Sequence, residues 1–326
     1  MPDHSQPLAA RLGVDLGGTK IEAIVMQRDG SISHRQRVAT PQGNYEATLR
    51  AIQQLTDDLS IAADISLTTP IGMGTPGAIS LKTGRMINCN STCLNDQPLR
   101  EDLASLTGRA VRIANDADCF ALSEAIDGAG QDANWLVGII LGTGVGGGLV
   151  IDQRLGHGVN AIRGEWGHNS LPTKVLQHPI PKPLLEHPHR CYCGRLDCVE
   201  TWISGPALEQ HYQLLTHEQV SAMEVVERMR SGETNASELF QYHLHLMALA
   251  MANLVNVLDP DMIVLGGGLS NVPELYQALP DIMPQYVFSD VFNTRIEPAM
   301  HGDSGGVRGA AWLWYPNEVQ QQGTAT

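Results

Sequence analysis

Two rhythms alternate along this chain. Short apolar runs end at glycines, and longer stretches place apolar residues every three or four positions. The first rhythm predicts strands and the second helices. A strand over Leu12 to Asp15 meets the tight turn Gly17-Gly18-Thr19-Lys20. A second strand covers Ile21 to Met26, and Asp29-Gly30 reads as a hairpin turn after it. Leu49, Ile52, Leu55 and Leu59 mark one face of a helix over Tyr45 to Leu59. Ile71 to Gly74 is a strand entering the turn Thr75-Pro76-Gly77. Val111 to Ala114 is another, ending at Asn115-Asp116 before a helix that carries Ala117, Phe120, Ala121, Glu124 and Ala125.

The opening pattern then returns. Trp135 to Leu141 is a strand, 142–148 a glycine turn and Leu149 to Asp152 a strand. Two similarly built domains with an active site between them are the expectation. A loop rich in proline and histidine covers 172–190, and a helix starts at Pro206. A long helix over Glu238 to Leu258 stops at Asp259-Pro260. The apolar strand Met262 to Leu265 leads into Gly266-Gly267-Gly268. A turn at Gly302 to Gly306 precedes a last helix from Val307 to about Trp314. Strands alternating with helices indicate an α/β fold. The predicted organisation is a domain over 11–127, a second over 128–305, a helix at 306–316 returning to the first, and flexible tails at 1–10 and 317–326.

Composition narrows the function classes. A chain of 326 residues, 43% of them apolar, can bury the cores of two domains. No apolar run approaches the roughly 20 residues of a spanning helix, and the first residues lack the features of a signal peptide. The net charge of -14 argues against a nucleic-acid or anionic-membrane partner. Three of the six cysteines fall at 191, 193 and 198, a packing that suits a metal better than a disulfide framework. A reducing, cytoplasmic location is therefore expected, with Cys89, Cys93 and Cys119 as ordinary buried or half-buried thiols.

The chemistry gathers at four places. Residues 142–147 match G-x-G-x-x-G, but a strand follows where a dinucleotide fingerprint needs a helix. No P-loop motif is present. The glycine turns at 17–20 and 142–148 read instead as anion-binding concavities built from backbone N–H groups. Asp15 could hold magnesium through water, or cap its turn. Asn115-Asp116-Ala117-Asp118 offers either helix caps or a catalytic acid. Phosphoryl transfer to a hydroxyl needs a carboxylate to orient that hydroxyl and accept its proton, which favours Asp116 over Asp118. Cys191, Cys193 and Cys198 with His168 make up a tetrahedral zinc set, structural because four protein ligands leave no open position. His178, His187 and His189 are possible substitutes for the fourth ligand.

Together these motifs resemble the ROK sugar kinases, ATP-dependent hexokinases. The resemblance rests on Asp15 to Lys20, Gly74 to Gly77, Asn115-Asp116, Gly142 to Gly148, Gly164-Glu165-Trp166-Gly167-His168 and the Cys-x-Cys-Gly-x3-Cys-x-Glu run. It implies the two-domain actin/hsp70-like (ribonuclease H-like) ATPase fold, with a cleft between domains and a zinc-braced loop. It assigns Asp116 as catalytic base and Gly77, Asn115, Asp116, Glu165, His168 and Glu200 to the sugar. It assigns Gly13, Asp15, Gly17, Gly18, Thr19, Lys20, Leu141, Gly142, Thr143, Gly144, Gly146, Gly147 and Gly148 to the ATP phosphates, and Gly266, Gly267 and Gly268 to the adenosine. His168, Cys191, Cys193 and Cys198 would hold one structural zinc, and ATP would enter with magnesium. The segments Asn90 to Pro98, Gly164 to Asn169 and His301 to Trp312 are most similar to the family's fructokinases, which implies fructose as the sugar. N-acetylglucosamine kinases share much of the pattern and give the alternative. A non-catalytic zinc-containing sugar sensor is the alternative from another class. The family's repressor branch carries an N-terminal helix-turn-helix, and the few residues before the first strand make a DNA-binding role unexpected. A homodimer is the expected assembly. Asp197 stands where the family has glycine and is expected to alter a turn.

Overall fold

The computed structural model describes residues 10–156, 158–176 and 178–315. The chain divides into two compact units. One gathers the described residues of Met1–Asp127, His157–Ala161 and Asp303–Thr326; the other comprises Gly128–Gly156 and Ile162–Gly302. Residues 1–9 and 317–326 of the predicted tails lie outside the described residues, whereas Ala10 is buried.

In the first unit, Arg11–Leu16 is the central strand of five. It pairs antiparallel with Lys20–Met26 and parallel with Ile71–Thr75. Ile32–Ala39 extends one side antiparallel and Val111–Asn115 the other side parallel. The sequence pattern does not predict Ile32–Ala39, because this edge strand is mostly exposed and carries charge in place of alternating apolar residues. Its Arg35 and Arg37 each pair with the buried Glu22 at 2.8 Å. Charged edges also discourage pairing with other chains.

The terminal helix, Gly305–Trp312, starts two residues before the predicted Val307 and lies against this sheet and the Asp116–Asp127 helix. It approaches so closely that a Cβ on Gly13, Gly72 or Gly309 would overlap backbone atoms of Val307, Ala310 or Cys119. Arg11 and Arg112 secure the end of that segment. Their guanidinium groups lie 4.2 Å and 4.0 Å from the ring centroids of Trp312 and Trp314, a cation–π arrangement.

The second unit repeats the strand plan. Trp135–Leu141 pairs antiparallel with Val145–Ile151 and parallel with Met262–Gly266; Arg154–Leu155 and Arg295–Pro298 form the edges. Each five-stranded sheet thus joins an antiparallel hairpin to parallel strands. The helix Thr234–Leu258 starts four residues before the expected Glu238 and buries 14 residues in the second core. The helices Leu99–Thr107, Ala222–Arg230 and Pro273–Ile282 are absent from the sequence expectation. The first two have short apolar faces, and the third begins at Pro273 and carries Pro280 inside it. The glycine turn differs as well. Gly146, Gly147 and Gly148 lie within the strand Val145–Ile151, so the turn itself is only Gly142-Thr143-Gly144. Among the described residues, no helix is long and apolar enough to cross a membrane.

Candidate active site and metal centre

Two carboxylates lie at the C-terminal ends of strands in the first unit. Asp15 is on the central strand, and Asp116 begins the helix that follows Val111–Asn115. A Cβ on Gly74 would stand 3.3 Å from Cys119 Sγ and 3.7 Å from Asp15 Oδ1, and one on Gly306 would stand 3.2 Å from Asp15 Oδ2. Both glycines therefore clear the space in which Asp15 sits. Burial, then the charges of Asp116 and Glu22, raise the Asp15 carboxyl from 3.8 to about 6, while Lys20 and Arg37 pull it back. Burial also raises Asp116, against the backbone N–H groups of Ala117 and Asp116 itself. The Asp116 side chain still reaches solvent. It is a carboxylate with a raised pKa that is open to a ligand, the environment that tunes an acid toward proton transfer.

Both neighbours take part in the cap: Asp116 Oδ1 accepts from the Ala117 N–H at 2.8 Å. Asn115 Oδ1 accepts from the Ala117 N–H at 2.7 Å, which is cap behaviour, and its Nδ2 donates to Gly77 O at 3.4 Å. Gly77 has φ +83°, and a Cβ there would meet Ile87 O and Cys89 Sγ. The turn at 17–20 closes through Gly17 N–H to Lys20 O at 3.0 Å, and Thr40 Oγ1 donates to Gly17 O at 2.8 Å. Gly18, Thr19 and Lys20 remain exposed. Beside this turn lies a cavity of about 340 Å³, bounded by Thr19, Thr40, Gln42, Asn90, Ser91 and Cys93 among others.

In the second unit, Gly142 N–H donates to Gly144 O, and Gly205 N–H to Gly142 O, both at 3.0 Å. Glu200 sits under this turn, its Oε2 accepting from Val145 N–H at 3.0 Å. A Cβ on Gly144 would lie 2.6 Å from that same oxygen. Thus one Glu200 oxygen serves the turn. The strand glycines serve packing: Trp166 Nε1 donates to Gly146 O at 3.2 Å, and a Cβ on Gly147 would crowd the indole. Gly164 and Gly167 let the short Glu165–His168 turn of helix lie flat on this strand. Leu141 is fully buried, and Gly267, at φ +83°, passes where a Cβ would strike the Leu141 backbone. Gly266 ends its strand, and Gly268 borders open space.

His168, Cys191, Cys193 and Cys198 converge, their ligand atoms all within 4.8 Å of one another. Cys191 Sγ lies 3.4 Å from His168 Nδ1, and Cys193 Sγ 3.6 Å from Cys198 Sγ. Bonds of about 2.3 Å to sulfur and 2.0–2.1 Å to nitrogen give tetrahedral edges of about 3.5–3.8 Å. The two close pairs match such edges, so the four residues could hold a zinc-sized cation. Burial pushes the Cys198 thiol up to about 12, whereas the backbone N–H of Arg195 lowers Cys193. A bound divalent cation would hold all three as thiolates. Asp197 keeps the turn by adopting φ +57°, the left-handed region that glycine favours and aspartate tolerates. His178, His187 and His189 lie outside this quartet. His189 is buried, with Nε2 2.9 Å from Leu184 O and its ring centroid 3.7 Å from Trp202. His187 Nε2 lies 3.1 Å from Gln210 Nε2, and the His178 ring is 4.9 Å from that of His245.

The sequence profile of the ROK family matches residues 11–317. The chain belongs to the ROK family. This ROK protein is 40% identical over 304 residues to an N-acetyl-D-glucosamine kinase of Pectobacterium atrosepticum, an alignment covering 92% of this chain and 97% of the relative. An N-acetyl-D-glucosamine kinase of Vibrio atlanticus is 39% identical over 302 residues, with 92% and 98% covered. The ROK hexokinase of Thermus thermophilus superposes with a TM-score of 0.82 at 30% identity, over 96% of this chain and 99% of that one. A ROK family glucokinase of Streptomyces griseus, solved with glucose and AMPPNP, gives 0.71 at 26%, over 94% and 99%. The names of these relatives differ from the fructokinase resemblance read from individual segments.

Sequence reasoning about this ROK protein missed two neighbours of its sites. Gly306, at the junction of the expected turn and terminal helix, is the helix residue packed on Asp15. Tyr192 stands between two metal-ligand candidates, and its hydroxyl lies 3.0 Å from His168 Nε2. Its place inside Cys-x-Cys was the available signal.

Proposed function

We propose that this ROK protein transfers the γ-phosphoryl group of ATP to the 6-hydroxyl of N-acetyl-D-glucosamine. Two supports carry different parts of the proposal. The near-full-length similarity to N-acetyl-D-glucosamine kinases supports the sugar. The solvent-reaching Asp116, its carboxyl raised, supports the reaction.

Asp116 orients the acceptor hydroxyl and takes its proton late in the transfer. Asn115 and Gly77 shape the chain beside it. The turns 17–20 and 142–144 would present backbone N–H groups to phosphate oxygens, and Asp15 would hold the magnesium that enters with ATP. Lys20 adds positive charge at the first turn. Gly268, with open space beside it, is the part of 266–268 most available to adenosine. Zinc, held by His168, Cys191, Cys193 and Cys198, would brace the loop and fix the imidazole. With Nδ1 turned to Cys191, His168 offers Nε2 to a sugar hydroxyl. Glu165 and the second oxygen of Glu200 are the remaining sugar contacts.

Fructose is the second reading, favoured by the fructokinase-like segments Asn90 to Pro98 and His301 to Trp312. Comparing kcat/KM for the two sugars under one ATP concentration decides between them. A higher value for N-acetylglucosamine is expected; a tenfold preference for fructose would reverse the choice.

A further inference from the structure

The unexplained feature of the second unit is Tyr192. Its side chain is 82% exposed, yet it is not free. The hydroxyl lies 3.0 Å from His168 Nε2, and the two ring centroids are 5.1 Å apart at an interplanar angle of 81°. His168 Nδ1 is turned to Cys191 Sγ at 3.4 Å, so Nε2 is the nitrogen left for a ligand outside the cysteine cluster. Glu165 Oε2 lies 3.9 Å from the same Nε2. The tyrosine therefore occupies the polar atom that the proposed reading gives to the sugar.

Resting on that reading, we propose that Tyr192 is a positioning residue whose hydroxyl stands in for a sugar hydroxyl on His168 and is displaced when the sugar binds. An imidazole that gives Nδ1 to a cation carries its proton on Nε2. That N–H must find an acceptor. A phenol oxygen and a sugar hydroxyl oxygen are interchangeable acceptors for it. With the sugar absent, Tyr192 satisfies the N–H and its edge-on ring holds the imidazole in one orientation. The arriving sugar takes over the N–H, and the phenol turns out to water. This exchange weakens sugar binding by the net worth of one hydrogen bond, about two- to tenfold in affinity. It leaves the transfer step untouched, because the displacement is complete before the hydroxyl meets phosphate.

Tyr192→Phe keeps the ring and removes the stand-in. The test titrates N-acetylglucosamine and fructose into zinc-loaded wild-type protein and Tyr192→Phe by calorimetry, without nucleotide. Zinc content, kcat and KM are measured on the same preparations. The expected result is a two- to tenfold lower Kd and KM in the variant, with kcat within twofold and zinc content unchanged. An unchanged or raised Kd, with zinc retained, would overturn the stand-in role while leaving the kinase reading intact. If wild-type protein shows neither binding heat nor ADP release with either sugar, the kinase reading fails, and this inference falls with it.

Discussion

Asp15 allows a prediction in which stability and function move in opposite directions. Its carboxyl is raised from 3.8 to about 6 by burial and by its acidic neighbours. A raised carboxyl pKa means that the folded protein binds the proton more tightly than the unfolded chain. Stability from this group therefore falls as pH rises from 3.8 through about 6, and then levels off. At about 1.4 kcal/mol per unit, the ionised Asp15 costs the fold about 3 kcal/mol at pH 8 and about half of that at pH 5. Asp15→Asn removes the charge and keeps the shape. The gain in unfolding free energy should therefore grow by about 1.5 kcal/mol between pH 5 and pH 8. Urea denaturation of wild type and variant at both pH values, without ATP or magnesium, measures this difference. The same variant should transfer phosphate more slowly, since it loses the carboxylate proposed to hold magnesium. A gain that is equal at both pH values would refute the account of Asp15 as a strained, charged group at the site.

Other consequences can be checked separately. Asp116→Asn should lower turnover by about 10² to 10⁴, with the unfolding midpoint retained; an unchanged rate removes Asp116 from the mechanism. Cys191→Ser should lose zinc and raise the KM for sugar more than the KM for ATP, and full activity in a zinc-free variant would contradict the bracing role. Burial lowers His243 from 6.5 to about 4, so the unfolded chain takes up a proton that the folded protein refuses. Stability should fall by about 3 kcal/mol as pH drops from 6.5 to 4; His243→Leu should flatten that part of the denaturation profile, and an unaltered slope would count against it.

The sequence made the strands legible where both faces are buried. Trp135–Leu141 and Met262–Gly266 read as continuous apolar runs because helices or loops cover them. Ile32–Ala39 did not, because an edge strand needs no alternation and here spends its positions on Arg35 and Arg37. Glycine was the ambiguous letter. Gly13, Gly72 and Gly309 admit the terminal helix, and Gly147 admits Trp166; these are contacts between distant segments that local pattern cannot register. Gly142 and Gly144, by contrast, form the turn that the motif announced. Cysteine spacing made the candidate metal quartet legible because its three thiols are close in sequence, and the structure brings the expected His168, not His178, His187 or His189, to them. The choice of nitrogen on His168, the engagement of Glu200 with the second turn and the position of Tyr192 required three-dimensional placement.

The most direct test of the central claim is sugar-dependent ADP release by the zinc-loaded protein with magnesium and ATP. It is measured with N-acetylglucosamine, fructose, mannose and glucose, and repeated with Asp116→Asn. The account predicts release with the highest kcat/KM on N-acetylglucosamine and its loss in the variant. Sugar binding without ADP release from any of the four would instead make the protein a sensor and contradict the claim.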